Sequence, residues 1–256
     1  MDVFCFDFDG VICDSAPETA LTAWNGCREI WPGQTGPWTE ALQERFCRLR
    51  PVLHTGFEAI PLMRLILDGQ HGDDAILRDF PALRDALIGR ENVARERLLS
   101  VFGAVRDRMI AEDEGQWLRW NRFYPGIGEI LSRTIARHST YIITTKQQRF
   151  VQLLFAHQAI ALPAARVFGL ERKLSKPALL GQLRTDPALE GATFHFIEDR
   201  LETLKDVIAD PALTAIRLYL ADWGYNTPAH REEARGMPRI TIVSRDSFAR
   251  MHGLDR

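Results

Sequence analysis

The amino-acid sequence predicts an α/β protein with a doubly wound, Rossmann-like parallel sheet as its core and a helical domain inserted after the first strand. Short, nearly continuous apolar runs recur along the chain, as is typical of strands buried on both faces. Segments with 3.6-residue apolar spacing separate the later runs, and this alternation is typical of a sheet covered by helices. More than a hundred residues separate the first run from the second, which predicts the insertion.

Each predicted element rests on one of these patterns. The apolar runs predict strands at residues 3–6, 141–143, 193–197, 216–220 and 240–243. The periodic segments predict core helices at residues 127–137, 148–157, 177–183 and 201–208. Within the insertion, helices are expected at 42–49, 59–67 and 93–110, separated by turn-forming residues at 31–37 and 68–81. We therefore expect a core domain at residues 1–16 and 120–256 and a helical domain at 17–119.

The composition excludes several classes of protein. The chain has 256 residues, of which 46% are hydrophobic and 26% charged, so it is not a disordered protein. A formal net charge of -2 gives no indication of nucleic-acid binding. No stretch approaches the roughly 20 apolar residues of a membrane-spanning helix, and acidic residues stand where a signal peptide would be basic. We therefore expect a cytoplasmic protein with no membrane partner and no nucleic-acid partner, whose four cysteines are reduced thiols.

Two carboxylates follow the first predicted strand. Ligands of an open parallel sheet bind beyond the carboxyl ends of its strands, so residues at these ends are candidates for a site. Asp7 and Asp9 lie in the segment DFDG, and alternation along an extended chain puts both side chains on the same side. Such a pair is unfavourable unless it shares a proton or a cation, and Mg²⁺ favours carboxylate oxygens. The pair indicates a Mg²⁺ site, and the alternative is a polar strand end at which Asp-Gly starts a turn.

Hydroxyl and ammonium groups lie near the ends of later elements. Thr144 and Thr145 follow the second predicted strand, where a hydroxyl ahead of a helix is suited to binding a phosphate oxygen. The alternative for Thr144 is a helix N-cap. Lys173 and Lys176 precede the helix predicted at 177–183, and an ammonium there would neutralise phosphate charge. The alternative for both lysines is a solvated surface position.

A second acidic pair follows the third predicted strand. Glu198 and Asp199 lie in the segment FIEDR, immediately after an apolar run. The alternative is that they only complement the positive end of the helix that follows. All four polar clusters fall where a doubly wound sheet places its ligand, and together they indicate a metal-assisted phosphate site.

These motifs resemble those of the haloacid dehalogenase (HAD) superfamily, in its phosphoglycolate-phosphatase and β-phosphoglucomutase-like branch with a helical cap domain. FCFDFDGVICDS resembles the first family motif, DxDGxxxDS, while IITTK, LSKP and FIEDR resemble the other three. The segments YPGIGEIL, RPVLHTGFE and ADWGYN resemble further parts of family members. The likeness is good over residues 1–15 and 123–225, whereas the helical insertion matches in kind and position more than in its residues. Thr203 stands where the family often has a second acid, so the resemblance implies that one outer contact to the metal is either missing or supplied by Glu198. Lys176 is favoured over Lys173 because a proline follows it.

The resemblance implies a phosphatase that hydrolyses a small-molecule phosphomonoester, with Mg²⁺ as cofactor and an aspartyl-phosphate intermediate on Asp7. Asp9 would act as general acid and base, and Lys176 would neutralise charge at the reacting centre. Mg²⁺ would be held by Asp7, by Asp9 through its backbone carbonyl, and by Asp199, with Glu198 as a further ligand. Substrate binding is assigned to Gly10, Thr144, Thr145 and Arg50.

Other functions stay open at this point. They are a phosphomutase of the same superfamily, a catalytically silent binding or regulatory protein, and a phospho-acceptor signalling domain, which the long insertion disfavours. Asp9 favours phosphoryl transfer over carbon–halogen cleavage, since only the former needs an acid for the leaving group. Arg45, Arg48 and Arg50 either reach a second anionic group of the substrate or are surface residues. We expect a monomer or a homodimer.

Overall fold

The protein is described by a computed structural model that covers residues 1–254. Two compact units make up the chain, one formed by Met1–Asp14 with Phe123–Arg256 and the other by Ser15–Arg122. The strands are β1 (Asp2–Phe6), β2 (Cys13–Asp14), β3 (Arg122–Phe123), β4 (Ser139–Ile143), β5 (Val167–Phe168), β6 (Thr193–Glu198), β7 (Arg217–Ala221) and β8 (Ile240–Val243).

Helices form most of the remaining chain. The α-helices are α1 (Ala16–Ile30), α2 (Glu40–Leu49), α3 (Ala59–Asp68), α4 (Asp73–Glu91), α5 (Arg95–Trp120), α6 (Ile127–Arg137), α7 (Gln148–His157), α8 (Lys176–Arg184), α9 (Leu201–Ala209), α10 (Pro228–Arg235) and α11 (Arg245–Met251). Short 3₁₀ helices occur at Arg50–Val52, Gly56–Glu58, Ala164–Arg166, Leu170–Arg172, Pro187–Leu189 and Pro211–Leu213. Among the described residues, no helix combines the length and the apolar character needed to cross a bilayer.

A six-stranded parallel sheet forms the first unit, with the strand order β5-β4-β1-β6-β7-β8. This order confirms the predicted α/β, doubly wound fold class. β1 lies in the middle, where Cys5 pairs with Tyr141 of β4 on one side and with Phe196 of β6 on the other. Val3, Cys5 and Phe196 are fully buried, as expected of central strands covered on both faces. The two-residue strand β5 was not predicted, because it is too short to produce an apolar run.

The helical unit encloses a carboxylate. Glu18 of α1 is fully buried, and Arg106 of α5 donates to its two oxygens, from Nε to Oε1 at 2.8 Å and from Nη2 to Oε2 at 2.6 Å. The indole Nε1 of Trp117 donates to Oε1 of Glu18 at 3.1 Å. A buried carboxylate requires such partners because it has lost its hydration.

The turn predicted at 68–81 is wrong from Asp73 onward. α3 ends at Asp68, with Gly69 in the left-handed region at φ 65°, and α4 begins at Asp73 and continues through Pro81. Proline removes one amide donor from the helix ladder. Ile76 and Phe80, one turn apart on α4, are both buried, and their burial outweighs this loss.

A cluster of aromatic and histidine side chains lies between the sheet and α11. Phe4 of β1 stacks on His195 of β6 with ring centroids 4.5 Å apart, and His252 contacts both rings. His195 Nδ1 lies 3.0 Å from the Tyr219 hydroxyl, whereas the buried Nε2 of His252 has no hydrogen-bond partner. Burial lowers the pKa of His195 and lowers the pKa of His252 to about 4.

We expect this cluster to make the protein sensitive to acid. Between about pH 6.5 and 4 the unfolded chain binds a proton at His252 that the folded chain excludes, so the free energy of unfolding falls as the pH falls through this range. The free energy of unfolding should fall by at most about 3 kcal/mol over this pH range. His252→Phe should flatten the pH dependence of the denaturant midpoint, whereas His157→Phe, at an exposed histidine, should leave it unchanged. Equal slopes in the wild type and His252→Phe would contradict this account.

Candidate functional site

The carboxyl ends of β1, β4 and β6 meet at one edge of the sheet, because β1 lies between the other two strands and all three are parallel. Asp7 follows β1, Thr144 follows β4, and Glu198 is the last residue of β6. The Asp7 amide donates to the Ile197 carbonyl at 2.9 Å, which continues the ladder between β1 and β6 by one residue. The sheet therefore brings together side chains that are remote in the sequence.

Lys176 connects two of these carboxylates. Its Nζ lies 2.9 Å from Oδ1 of Asp7 and 2.7 Å from Oε2 of Glu198. Lys176 is the first residue of α8, where the helix dipole disfavours a positive charge, so the two carboxylates must compensate. Burial alone would lower the pKa of Lys176, but Asp7 and Glu198 outweigh burial and raise it above its ordinary value. The group is therefore an ammonium. Lys173, the rival in the sequence, is exposed.

Asp7 is 5% exposed and lies among charges of both signs. Burial raises the pKa of Asp7 to about 7 against the opposing effect of the Lys176 ammonium, and the Glu198 carboxylate adds to the rise. Burial also raises the pKa of Glu198 and of Asp199. All three carboxyl groups are thus easier to ionise when a further positive charge is near.

The carboxylates of Asp7, Glu198 and Asp199 form a group that could hold a metal ion. Each offers one oxygen, and these oxygens all lie within 4.8 Å of one another. Oδ1 of Asp199 is buried without a hydrogen-bond partner, which leaves it open as a ligand. The three carboxylates carry more negative charge than the Lys176 ammonium neutralises. The donor set is therefore suited to a hard divalent cation.

Asp9 is paired separately. Its Oδ1 lies 3.0 Å from Nζ of Lys146, a side chain that is fully buried. Lys146 was not predicted as a site residue, although it lies two residues after Thr144 at the same strand end. This position could have indicated Lys146, because ligands of a parallel sheet bind beyond the carboxyl ends of its strands, and Lys146 lies at such an end as Thr144 does.

The predicted substrate-binding residues lie in different surroundings. Thr144 is buried, and its Oγ1 accepts a hydrogen bond from the Lys146 amide at 3.1 Å. The N-cap alternative for Thr144 is wrong, because the N-cap of α7 is Gln147. Thr145 is exposed. Arg50 belongs to the helical unit, where it starts a 3₁₀ helix and donates to the Leu53 carbonyl at 3.3 Å.

Two glycines leave room for the Asp199 carboxylate. Gly10 has φ 90°, and a Cβ atom there would lie 2.0 Å from Oδ2 of Asp199. A Cβ atom on Gly224 would lie 2.3 Å from Cβ of Asp199 and 2.3 Å from the Gly10 carbonyl oxygen. Any side chain at either position would displace the carboxylate or the backbone around it.

The segment Trp223–Asn226 fixes the position of Asp199. The Tyr225 amide donates to Oδ2 of Asp199 at 2.6 Å, and Nδ2 of Asn226 donates to the Asp199 backbone carbonyl at 3.0 Å. Nε1 of Trp223 donates to the Val11 carbonyl at 3.0 Å and so joins this segment to the loop after β1. The resemblance of residues 221–226 to family members did not indicate this role.

Solved structures show the same fold. The chain has a TM-score of 0.62 and 14% identity to a predicted phosphatase from Clostridium acetobutylicum, covering 98% of this chain and 97% of that one. It has a TM-score of 0.59 and 16% identity to a predicted phosphoglycolate phosphatase from Haemophilus somnus, covering 100% and 98%. A hydrolase of the haloacid dehalogenase-like family from Streptococcus pneumoniae gives a TM-score of 0.58 and 13% identity, covering 100% and 99%.

These likenesses extend over nearly the whole of each chain and show that this protein has the haloacid dehalogenase-like fold. No family model and no curated protein sequence matches the chain. At identities of 12–16% among the structures, the likeness concerns the fold alone.

We expect Gly224→Ala to destabilise the protein by about 1–3 kcal/mol, because the added Cβ overlaps Asp199 and the Gly10 carbonyl. Gly181→Ala is the matched control. Gly181 lies inside α8 with open space around its Cα, so alanine there should stabilise by roughly 0.5–1 kcal/mol through helix propensity. Denaturant unfolding of the two variants measures both effects, and a neutral Gly224→Ala would contradict the close packing.

Proposed function

We propose that this protein is a Mg²⁺-dependent phosphatase that hydrolyses a small-molecule phosphomonoester through an aspartyl-phosphate intermediate on Asp7. The observation that carries the proposal is the placement of Asp7 beside the Lys176 ammonium and within 4.8 Å of Glu198 and Asp199 ligand atoms. Phosphoryl transfer requires an oriented nucleophile and neutralisation of negative charge, and this group of side chains supplies both. The shared fold with structures described as phosphatases supports the same reaction.

Asp7 would be the nucleophile. A carboxylate oxygen of Asp7 forms a bond to phosphorus as the bond from phosphorus to the ester oxygen breaks, and Asp9 gives its proton to the departing oxygen. Asp9 then takes a proton from water, whose oxygen forms a bond to phosphorus. The bond from phosphorus to Asp7 breaks, which releases inorganic phosphate and restores both carboxyl groups to their starting forms.

The remaining residues would neutralise and orient the phosphate. The Lys176 ammonium lies against Asp7 and can share its charge with an incoming phosphate oxygen, which reduces repulsion between two anions. Thr144 would contribute its hydroxyl to a further phosphate oxygen. Asp7, Glu198 and Asp199 would hold Mg²⁺, with the Asp9 carbonyl as an additional ligand. When bound, the ion supplies positive charge that offsets the charge on the phosphate oxygens.

The nucleophile is tested by Asp7→Asn. We expect this variant to lose at least a thousandfold in kcat for phosphate release from an aryl phosphate in the presence of Mg²⁺, because an amide cannot form the acyl phosphate. Asp206→Asn, at an exposed aspartate of α9, should retain wild-type activity. In the wild type, mass spectrometry of acid-quenched protein should detect a phosphorylated Asp7. If Asp7→Asn matches the wild type, the protein does not use this mechanism.

The metal site is tested by thermal unfolding of Asp199→Asn. In EDTA the variant should melt at or above the wild-type temperature, because one of three mutually repelling buried carboxylates has become neutral while an oxygen still accepts from Tyr225. Added Mg²⁺ should raise the melting temperature of the wild type but not that of the variant. Equal stabilisation of both proteins by Mg²⁺ would place the ion elsewhere.

A further inference from the structure

We propose that Lys146 is a positioning residue, which holds the Asp9 carboxylate in place for the proton transfers of the hydrolysis. The inference rests on the proposed function, in which Asp9 gives and takes the proton. Lys146 itself would touch neither the substrate nor the metal ion. Its contribution would come through the hydrogen bond that its Nζ donates to Oδ1 of Asp9, at 3.0 Å, so that the proton given and taken by Asp9 would be carried on Oδ2.

The backbone on both sides of Lys146 is fixed. The Lys146 amide donates to Oγ1 of Thr144 at 3.1 Å, and the Lys146 carbonyl accepts from the Leu170 amide at 3.0 Å. Gly169 packs against the same segment so closely that a Cβ atom there would lie 2.8 Å from the Lys146 carbonyl oxygen. Lys146 therefore starts from a backbone position that two neighbouring segments determine.

The side chain of Lys146 has no exposed surface, so its ammonium needs a partner within the protein. Asp9 provides that partner, and the ring of Phe8 lies 5.8 Å from the same Nζ. Lys146 is fully buried and the Asp9 side chain is 17% exposed, so losing Asp9 would leave the lysine charge uncompensated inside the protein, and the contact is favoured for that reason. The pair therefore fixes the direction of the Asp9 side chain as well as neutralising the lysine.

The two lysines contact different carboxylates. Lys176 contacts Asp7 and Glu198, and Lys146 contacts Asp9. Asp9 lies only two residues after Asp7, and a cation held by the three-carboxylate group would attract its carboxylate as well. Lys146 competes with that attraction and keeps Asp9 apart from the group. Since an error of about 1 Å in the position of a reacting group can cost a hundredfold in rate, this restraint matters for catalysis.

The test is a double-mutant cycle of the wild type, Lys146→Met, Asp9→Asn and the double variant, assayed with an activated aryl phosphate and Mg²⁺. Methionine keeps an unbranched side chain of nearly the same length and removes the charge. We expect Lys146→Met to lower kcat at least tenfold with KM changed less than about twofold, because the substrate does not contact Lys146. In the Asp9→Asn background the same substitution should lower the residual kcat less than about twofold, since the group it positions is already gone.

Lys205→Met is the matched control, since Lys205 also forms an ion pair, with Glu233 at 2.5 Å, but is partly exposed on α9. It should leave kcat and KM unchanged. If Lys146→Met does not fold, Lys146→Gln replaces it in the same cycle, because glutamine also lacks the charge but keeps a donor. Melting temperatures of all variants identify a loss of activity that reflects unfolding.

A tenfold loss of kcat from Lys146→Met in both backgrounds would show a general structural role and overturn the inference. An unchanged kcat in an active wild-type background would overturn it as well, and would leave the proposed function standing. A wild type that releases no phosphate would overturn the proposed function and this inference together. The three failures are therefore distinguishable from one another.

Discussion

The balance of buried charge around Lys176 is the constraint on which the rest of the site depends. The ammonium lies between Asp7 and Glu198, with Asp199 beside them, and both Glu198 and Asp199 are fully buried. Without it, the sheet would bring together carboxylates that repel one another with no compensation. With it, negative charge still remains in excess, and the three carboxylates are suited to a hard divalent cation.

The sheet order explains why these groups meet. β1 is central and its two neighbours, β4 and β6, come from distant parts of the chain, so three strand ends are adjacent at one edge. The residues that follow these strands then lie close together, so the site requires room for their side chains as well as compensation of their charges. Gly10 and Gly224 supply that space, since Asp199 packs against both backbones. The same packing lets the Tyr225 amide orient Asp199 and leave its second oxygen open.

The strand-end rule identified much of the site because it depends on chain order and on residue type. It pointed to Asp7, Thr144 and the acidic pair after β6, and the structure brings these groups to one edge of the sheet. Apolar runs likewise predicted the five longer strands of the sheet to within two residues at each end. The short strand β5 and the continuation of α4 through Pro81 were missed, because local patterns do not report the packing that stabilises each of them.

The sequence by itself determined the α/β class, the long insertion after the first strand, and the presence of acids, hydroxyls and lysines near the ends of buried strands. These features follow from periodicity and residue type, which are local properties. Only the tertiary structure decided that Lys176 pairs with Asp7 and Glu198, whereas Lys146 pairs with Asp9. It also decided that the segment after β7 orients Asp199. Such pairings depend on differences of an ångström or two between segments far apart in the chain, and burial makes those differences decisive because an unpaired charge is costly away from solvent.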